Sequence, residues 1–289
     1  MQVPAPLLLG EIIRIFFAAR NLEGQSYPAY MDVSADEPLR VLGVHDAPIM
    51  PHGPPGTFDD DGIMPACALT VGDKVWLYYS GWNRRTTVPY HNTTGLAVSA
   101  DGGASFRRMF DGPIVDRSPW EPYMAVTPWV LKEGPLWRMW YVSGLNWTKV
   151  GDRFEPVYGI MYAESNDGIQ WRRQGVLAIP RKHAREACAH PTVVRWGGRY
   201  HMWFCYRDTL DFRDGAGSYR IGYARSNDGI AWERRDDLTG ITASESGWDS
   251  TMLCYPSVIE WKGTLLMFYN GNSFGQSGIG CAVLEGALL

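Results

Sequence analysis

Apolar and polar residues alternate along this chain in short runs of roughly four to eight, with no long helical stripe. One arrangement recurs: a proline, a short apolar strand, a Gly turn, then an aromatic strand. It reads Pro65-Ala-Cys-Ala-Leu69, then Gly72-Asp-Lys74, then Val75-Trp-Leu-Tyr-Tyr-Ser-Gly81. It returns from Pro128 to Gly144, from Pro191 to Tyr206 and from Pro256 to Gly271, and the segment from Pro4 to Ala19 fits it too. Prolines at 4, 65, 128, 191 and 256 set a period of about 63 residues. A second arrangement is interleaved: a strand, an Asp-Gly turn, then an aromatic residue. It runs from Gly95 through Asp101-Gly102 to Phe106, from Gly159 through Asp167-Gly168 to Trp171, and from Gly222 through Asp228-Gly229 to Trp232. Each instance predicts a hairpin. Tyr30 to Asp36 is a looser copy, and the last repeat keeps only Gly278 to Val283.

One repeat is therefore four strands, A to D, and five repeats use up the chain. A lone four-stranded sheet cannot bury both of its faces, whereas radial stacking around an axis can. The expected fold is all-β: a five-bladed β-propeller of four-stranded antiparallel blades, with residues 1–289 as one domain. The fifth blade lacks an evident D strand. In the hairpin turns, Ser and Asp should bond the local backbone and Gly should take the left-handed position. The aromatic residue after each turn, and those of the B strands, should pack between blades.

Composition narrows the picture. An aromatic content of 13%, with 32 Gly and 19 Pro, suits many short strands and tight turns. A net charge of −4 lacks the basic footprint of a nucleic-acid or anionic-membrane binder, so neither partner is expected. No apolar run approaches the roughly 18 residues of a membrane helix. The start, Met1-Gln2-Val3-Pro4, has no basic signal-peptide region, so a cytoplasmic location is expected. The five Cys show no C-x-x-C spacing and read as buried free thiols. No metal site is expected, and no Gly-rich phosphate loop or nucleophile elbow is present.

The chemistry should gather where the A strands begin and the B–C loops open, on one face of the ring. An acid stands before the A strand in four repeats: Asp60 and Asp61, Glu121, Glu186 and Asp249. Converging strands would bring these carboxylates around one axis. Glycosyl transfer needs such a set: a protonated carboxyl for the leaving oxygen and an ionised one to activate water or attack carbon. The B–C loops add Trp82, Asn83, Arg84, Asn146, Trp147, Arg207 and Asn270. Flat aromatic faces suit sugar C–H groups, and amides and guanidiniums suit hydroxyls. Arginines there also suit phosphate or carboxylate. Tyr123, His190 and Tyr255 lie just before their prolines, with His190 expected to face the channel.

The whole-chain pattern resembles the five-bladed glycoside hydrolase superfamily, which groups arabinanase/β-xylosidase, invertase/levansucrase and β-mannoside phosphorylase enzymes. The likeness rests on the blade count, the acids ahead of inner strands and the Ser-Asn-Asp-Gly-Ile-x-Trp turns at 165–171 and 226–232. It implies a glycoside hydrolase with Asp61 as base, Glu121 as auxiliary or second base and Glu186 as acid, Asp60 and Asp249 being reserves. The segment Phe58-Asp-Asp-Asp-Gly-Ile-Met-Pro65 is also similar to mannoside phosphorylases, in which basic residues hold phosphate; Arg84, Arg85 or Lys149 would do so here. The first repeat departs from the family in carrying no acid before its inner strand. The expected partner is a small carbohydrate or glycoside. No cofactor is required, and a central calcium ion is left open. The alternatives are a non-catalytic sugar- or metabolite-binding propeller, a phosphate-dependent phosphorylase, or a sugar-biosynthesis enzyme on the same scaffold.

Overall fold

In every repeat the proline-led strand pairs antiparallel with the aromatic strand that follows it. The computed structural model describes all residues except 46, 214, 287 and 289. Strands β1 (Gln2–Leu9), β2 (Ile12–Arg20), β3 (Ser26–Ser34) and β4 (Val41–His45) form one array. Strands β5 (Gly62–Val71), β6 (Lys74–Arg84), β7 (Tyr90–Ser99) and β8 (Arg107–Arg108) form the next. The two arrays share one sheet through a single parallel pairing, Ser26 with Gly62.

Two four-stranded sheets follow. One holds β9 (Ala125–Glu133), β10 (Leu136–Val150), β11 (Arg153–Ser165) and β12 (Arg172–Leu177). The other holds β13 (Glu186–Trp196), β14 (Arg199–Asp208), β15 (Arg220–Ser226) and β16 (Glu233–Arg234). The last sheet has three strands, β17 (Cys254–Trp261), β18 (Thr264–Asn270) and β19 (Ile279–Val283). Among the described residues, helix is confined to short turns at Asp236–Leu238 and Asn272–Gly275. No helix among the described residues is long and apolar enough to cross a membrane. Four of the five thiols are buried and Cys281 is partly so; all are free.

The first strands pack in series, β1 on β5, β5 on β9, β9 on β13, β13 on β17, and β17 back on β1. Asn270, wholly buried, ties the two ends of this series together. Its Oδ1 accepts from Val3 N–H at 2.9 Å, and its Nδ2 donates to the carbonyls of Met1 and Gly278 at 3.0 and 2.8 Å. Truncation would strand the buried Val3 N–H. Asn270→Ala is expected to cost about 1–3 kcal/mol, read as a lowered urea midpoint at unchanged slope. A midpoint equal to that of the parent would show that the clasp contributes nothing.

The turn expectations hold in detail. Ser165 Oγ accepts from the N–H groups of Asp167 and Gly168, and Asp167 Oδ1 accepts from Ile169 and Gln170. Gly168 sits at φ 73°, where a Cβ would meet Tyr78 and Trp137. Its carbonyl accepts from Tyr78 Oη of the preceding array at 2.8 Å, as the Gly229 carbonyl accepts from Trp140 Nε1 at 2.9 Å. The aromatic after each turn lies edge-on to a ring of the preceding array: Phe106 on Phe16, Trp171 on Tyr78, Trp232 on Trp140. Each Asp-Gly turn is thus a plug that joins one array to the one before it.

The recurring proline marks a bulge. In each inner pair the register slips at or beside it, between Gln2 and Ala5, Pro65 and Cys67, Ala189 and Thr192, and Cys254 and Ser257, and opposite Pro128 between Trp140 and Val142. Proline has no N–H to lose from the ladder, so a bulge there is cheap. The residues just before four of these prolines, Val3, Thr127, His190 and Tyr255, have φ of 43–55°. Non-Gly residues in this region carry strain of about 1–3 kcal/mol each, which the surrounding packing must hold.

Candidate functional site

These bulges build the site. Val3, Met64, Thr127, His190 and Tyr255, one pre-proline residue from each inner strand, all line one central cavity of 410 Å³. That volume is in the range of ligand pockets, about 300–1,000 Å³. The walls rise on the B–C side. Trp82 and Tyr90 come from β6 and β7, with Trp82 held by its Nε1 on Ser26 Oγ at 2.7 Å. Gly62 makes that contact feasible, since a Cβ there would overlap both groups. The extended β10–β11 hairpin supplies Glu155, Pro156 and Tyr158, and the connection after β14 supplies Phe212, Arg213 and Tyr219.

The floor is polar and unsatisfied. Among the described residues, neither ring nitrogen of His190 has a partner, nor has Thr127 Oγ1 or Asn92 Oδ1. His190 is 2% exposed and meets Tyr255 edge to face. Buried polar atoms are normally paired with protein or ordered water, and four such atoms without a protein partner belong to residues lining this one cavity. Burial pushes the His190 imidazole down from 6.5 to about 3, which leaves it neutral at pH 7. Unfolding therefore takes up a proton between those values: stability is complete above about pH 6.5 and declines below it. The limiting slope is about 1.4 kcal/mol per pH unit. His190→Gln is expected to flatten the decline between about pH 6.5 and 5, above the carboxylate range, in urea unfolding at stepped pH. An unaltered slope would mean that another group titrates.

Among the described residues, charge enters the lining through three arginines and one acid. Glu155 is buried and accepts both prongs of Arg213, Nε at 3.0 Å and Nη2 at 2.9 and 3.1 Å. Arg207, 2% exposed, lies over the Phe212 ring at 3.7 Å. Its Nε donates to the hydroxyls of Tyr158 and Tyr219, which also bond each other, and its Nη2 donates to the Pro156 carbonyl. Arg20 stands at the mouth.

The candidates expected from sequence divide. Trp82, His190, Arg207 and Tyr255 line the cavity. Asp61, Glu121 and Glu186 do not, and neither do Asp60 and Asp249; the expected convergence of carboxylates on the axis is replaced by four separate clamps. Asp59 takes Tyr79 Oη and Arg108, Glu121 takes Tyr141 Oη and Arg173, Glu186 takes Arg234, and Asp249 takes Tyr269 Oη. In three of these the tyrosine follows its acid by 20 residues. The arginines come from the outermost strands β8, β12 and β16. Each clamp that holds an arginine therefore fastens the start of an inner strand, or the loop just ahead of it, to the outer edge of its own array.

The other candidates also have local roles. Asp60 caps Gly56 N–H, and Asp61 holds the backbone and side chain of Arg84. Asn83 donates to the Thr57 carbonyl, Tyr123 packs against Gly144, and Asn146 is exposed. Trp147 touches the site at one remove, edge-on to Tyr90. Asn270 is the clasp described above. Sequence reasoning missed Glu155, Arg213, Tyr158, Tyr219 and Arg20. The only sequence signal for them is position in the B–C connections, where Tyr90 and Asn92 also stand. Among the described residues, no group of three or more His, Cys, Asp or Glu is placed to hold a metal ion.

Comparison with known proteins adds kinship and fold. No protein-family model matches. The uncharacterized proteins MT1551 and Rv1502, from two strains of Mycobacterium tuberculosis, are each 37% identical over 277 residues, covering 96% of this chain and 89% of theirs. Among solved structures, a thermostable family-43 glycoside hydrolase superposes with a TM-score of 0.73 at 16% identity, over 99% of this chain and 90% of that one. A glycosyl hydrolase from Bacteroides ovatus gives 0.72 at 17%, over 98% and 83%. The chain therefore belongs to the family of Mycobacterium tuberculosis Rv1502 and has the fold of propeller glycoside hydrolases.

Proposed function

We propose that residues 1–289 form one five-bladed β-propeller that acts on a small carbohydrate or glycoside in its central cavity. The series of first strands returning to β1 supports the blade count. The observation that carries the function is the cavity floor: neutral His190, Thr127 and Asn92 offer unpaired donors and acceptors beneath aromatic walls. A sugar presents the same combination, hydroxyls at its rim and C–H groups on its faces. The fold neighbours support bond cleavage as the activity, and Glu155 is the carboxylate in reach of a bound glycoside. A second reading, binding without turnover, draws support from the acid clamps, which commit the family's usual carboxylates to the scaffold.

Turnover of aryl glycosides and oligosaccharides, with and without inorganic phosphate, tests the proposal. Cleavage supports the enzyme, and phosphate dependence would make it a phosphorylase. Saturable binding of a sugar with no product supports the second reading. Neither binding nor turnover across the panel overturns both.

A further inference from the structure

The charge in the cavity does not match the charge of the protein. The chain is acidic overall, at −4. The described lining nevertheless holds three guanidiniums and a single carboxylate. Glu155 is consumed by its two-pronged pair with Arg213. Arg207 and Arg20 have no carboxylate partner among the described residues. Arg20 donates to Gln2 Oε1 through Nε and to the Gly24 carbonyl through Nη1, which leaves its Nη2 for a ligand. An isolated buried cation is costly unless something compensates it. Around Arg207 that compensation comes from neutral oxygens and ring faces.

The hydrogen-bond order beside Arg207 points outward. Its Nε–H donates to the hydroxyls of Tyr158 and Tyr219, and one of those hydroxyls donates to the other. One O–H of the pair then has no acceptor among the described residues, and both tyrosines line the cavity. A donor polarised by a cation behind it, on a cavity whose lining also holds a guanidinium, Arg20, that lies over the Trp82 ring and has no carboxylate partner among the described residues, suits an anion.

We propose that the ligand is an anionic carbohydrate, a sugar bearing a carboxylate or phosphate group, whose charge sits between Arg20 and the Arg207–tyrosine relay. This rests on the carbohydrate reading above and narrows it to one substrate class.

Titration calorimetry on matched pairs tests it: methyl galacturonoside against methyl galactoside, methyl glucuronoside against methyl glucoside, a hexose phosphate against its hexose, and inorganic phosphate alone. The charged member of at least one pair is expected to bind about tenfold tighter or better at low salt, with the ratio narrowing as salt rises. Preference confined to the uronides identifies a sugar acid, and preference confined to the hexose phosphate a sugar phosphate; either supports the proposal. Arg20→Gln, at an exposed position that should fold normally, is expected to bring the ratio near one. Arg40→Gln, on the surface beside Glu37, should leave it alone. Equal binding within every pair overturns this inference and leaves the carbohydrate reading intact. Inorganic phosphate binding while no sugar binds, or no binding at all, overturns both.

Discussion

Glu186→Gln is expected to lower the stability of this protein by about 3 kcal/mol, or roughly 6–12 °C in Tm, rather than to stop catalysis in the folded fraction. The Glu186 side chain is 2% exposed and that of Arg234 7%, and their two contacts are both 2.8 Å. Removing one charge from a buried pair leaves the other in a poor solvent, a loss of about 3–5 kcal/mol. Arg234 keeps Asp236 at 2.9 Å, which places the cost at the lower end. The pH dependence gives a second check. Burial pulls the Glu186 carboxyl up, but Arg234 and the Lys182 N–H outweigh it and hold it below its usual 4.5. Its contribution is therefore present above about pH 4.5 and lost as the pH falls through the lowered value. The gap between parent and variant should close in acid. Thermal unfolding beside turnover decides the matter: a Tm equal to that of the parent with a turnover loss above about a hundredfold would make Glu186 the reacting acid after all.

Glu155→Gln should do the opposite. On the enzyme reading it is expected to lower kcat/KM by about 10²–10⁴-fold, the usual worth of a proton-transferring group. Its stability cost should be smaller than that of Glu186→Gln, because the Arg213 side chain is 46% exposed and water can take over the freed guanidinium. Binding of the same sugar separates two roles. A Kd near that of the parent with turnover lost places Glu155 in the chemistry. Equal losses in Kd and kcat/KM make it a binding residue. Full turnover would remove it from the mechanism and return attention to His190.

The scaffold was legible in the sequence, because its signals are local. A β-strand side chain alternates faces, a left-handed turn selects Gly, and a bulge tolerates Pro; each leaves its mark within a few residues. So the strand pairs, the plugs at Asp101, Asp167 and Asp228, and the short last sheet follow from the chain read in order. His190, Tyr255, Trp82 and Arg207 were also within reach, since a pre-proline position or a B–C loop brings its side chain to the cavity. The acids were not legible in the same way. An Asp or Glu before an inner strand looks alike whether it faces a substrate or an arginine about fifty residues on. Only the folded array, which brings β8, β12 and β16 across to the inner loops, turns Asp59, Glu121 and Glu186 toward their own sheets. Likewise, Glu155 and Tyr158 reach the cavity from the long β10–β11 hairpin and Tyr219 from the connection after β14, two segments about sixty residues apart in the chain. The sequence by itself determined the repeat, its strands and a few of the residues that line the centre, Trp82, His190, Arg207 and Tyr255, because those depend on backbone geometry close by. The tertiary structure decided which charges are paired and which face the cavity, because Coulomb and hydrogen-bond partners are chosen across space and not along the chain.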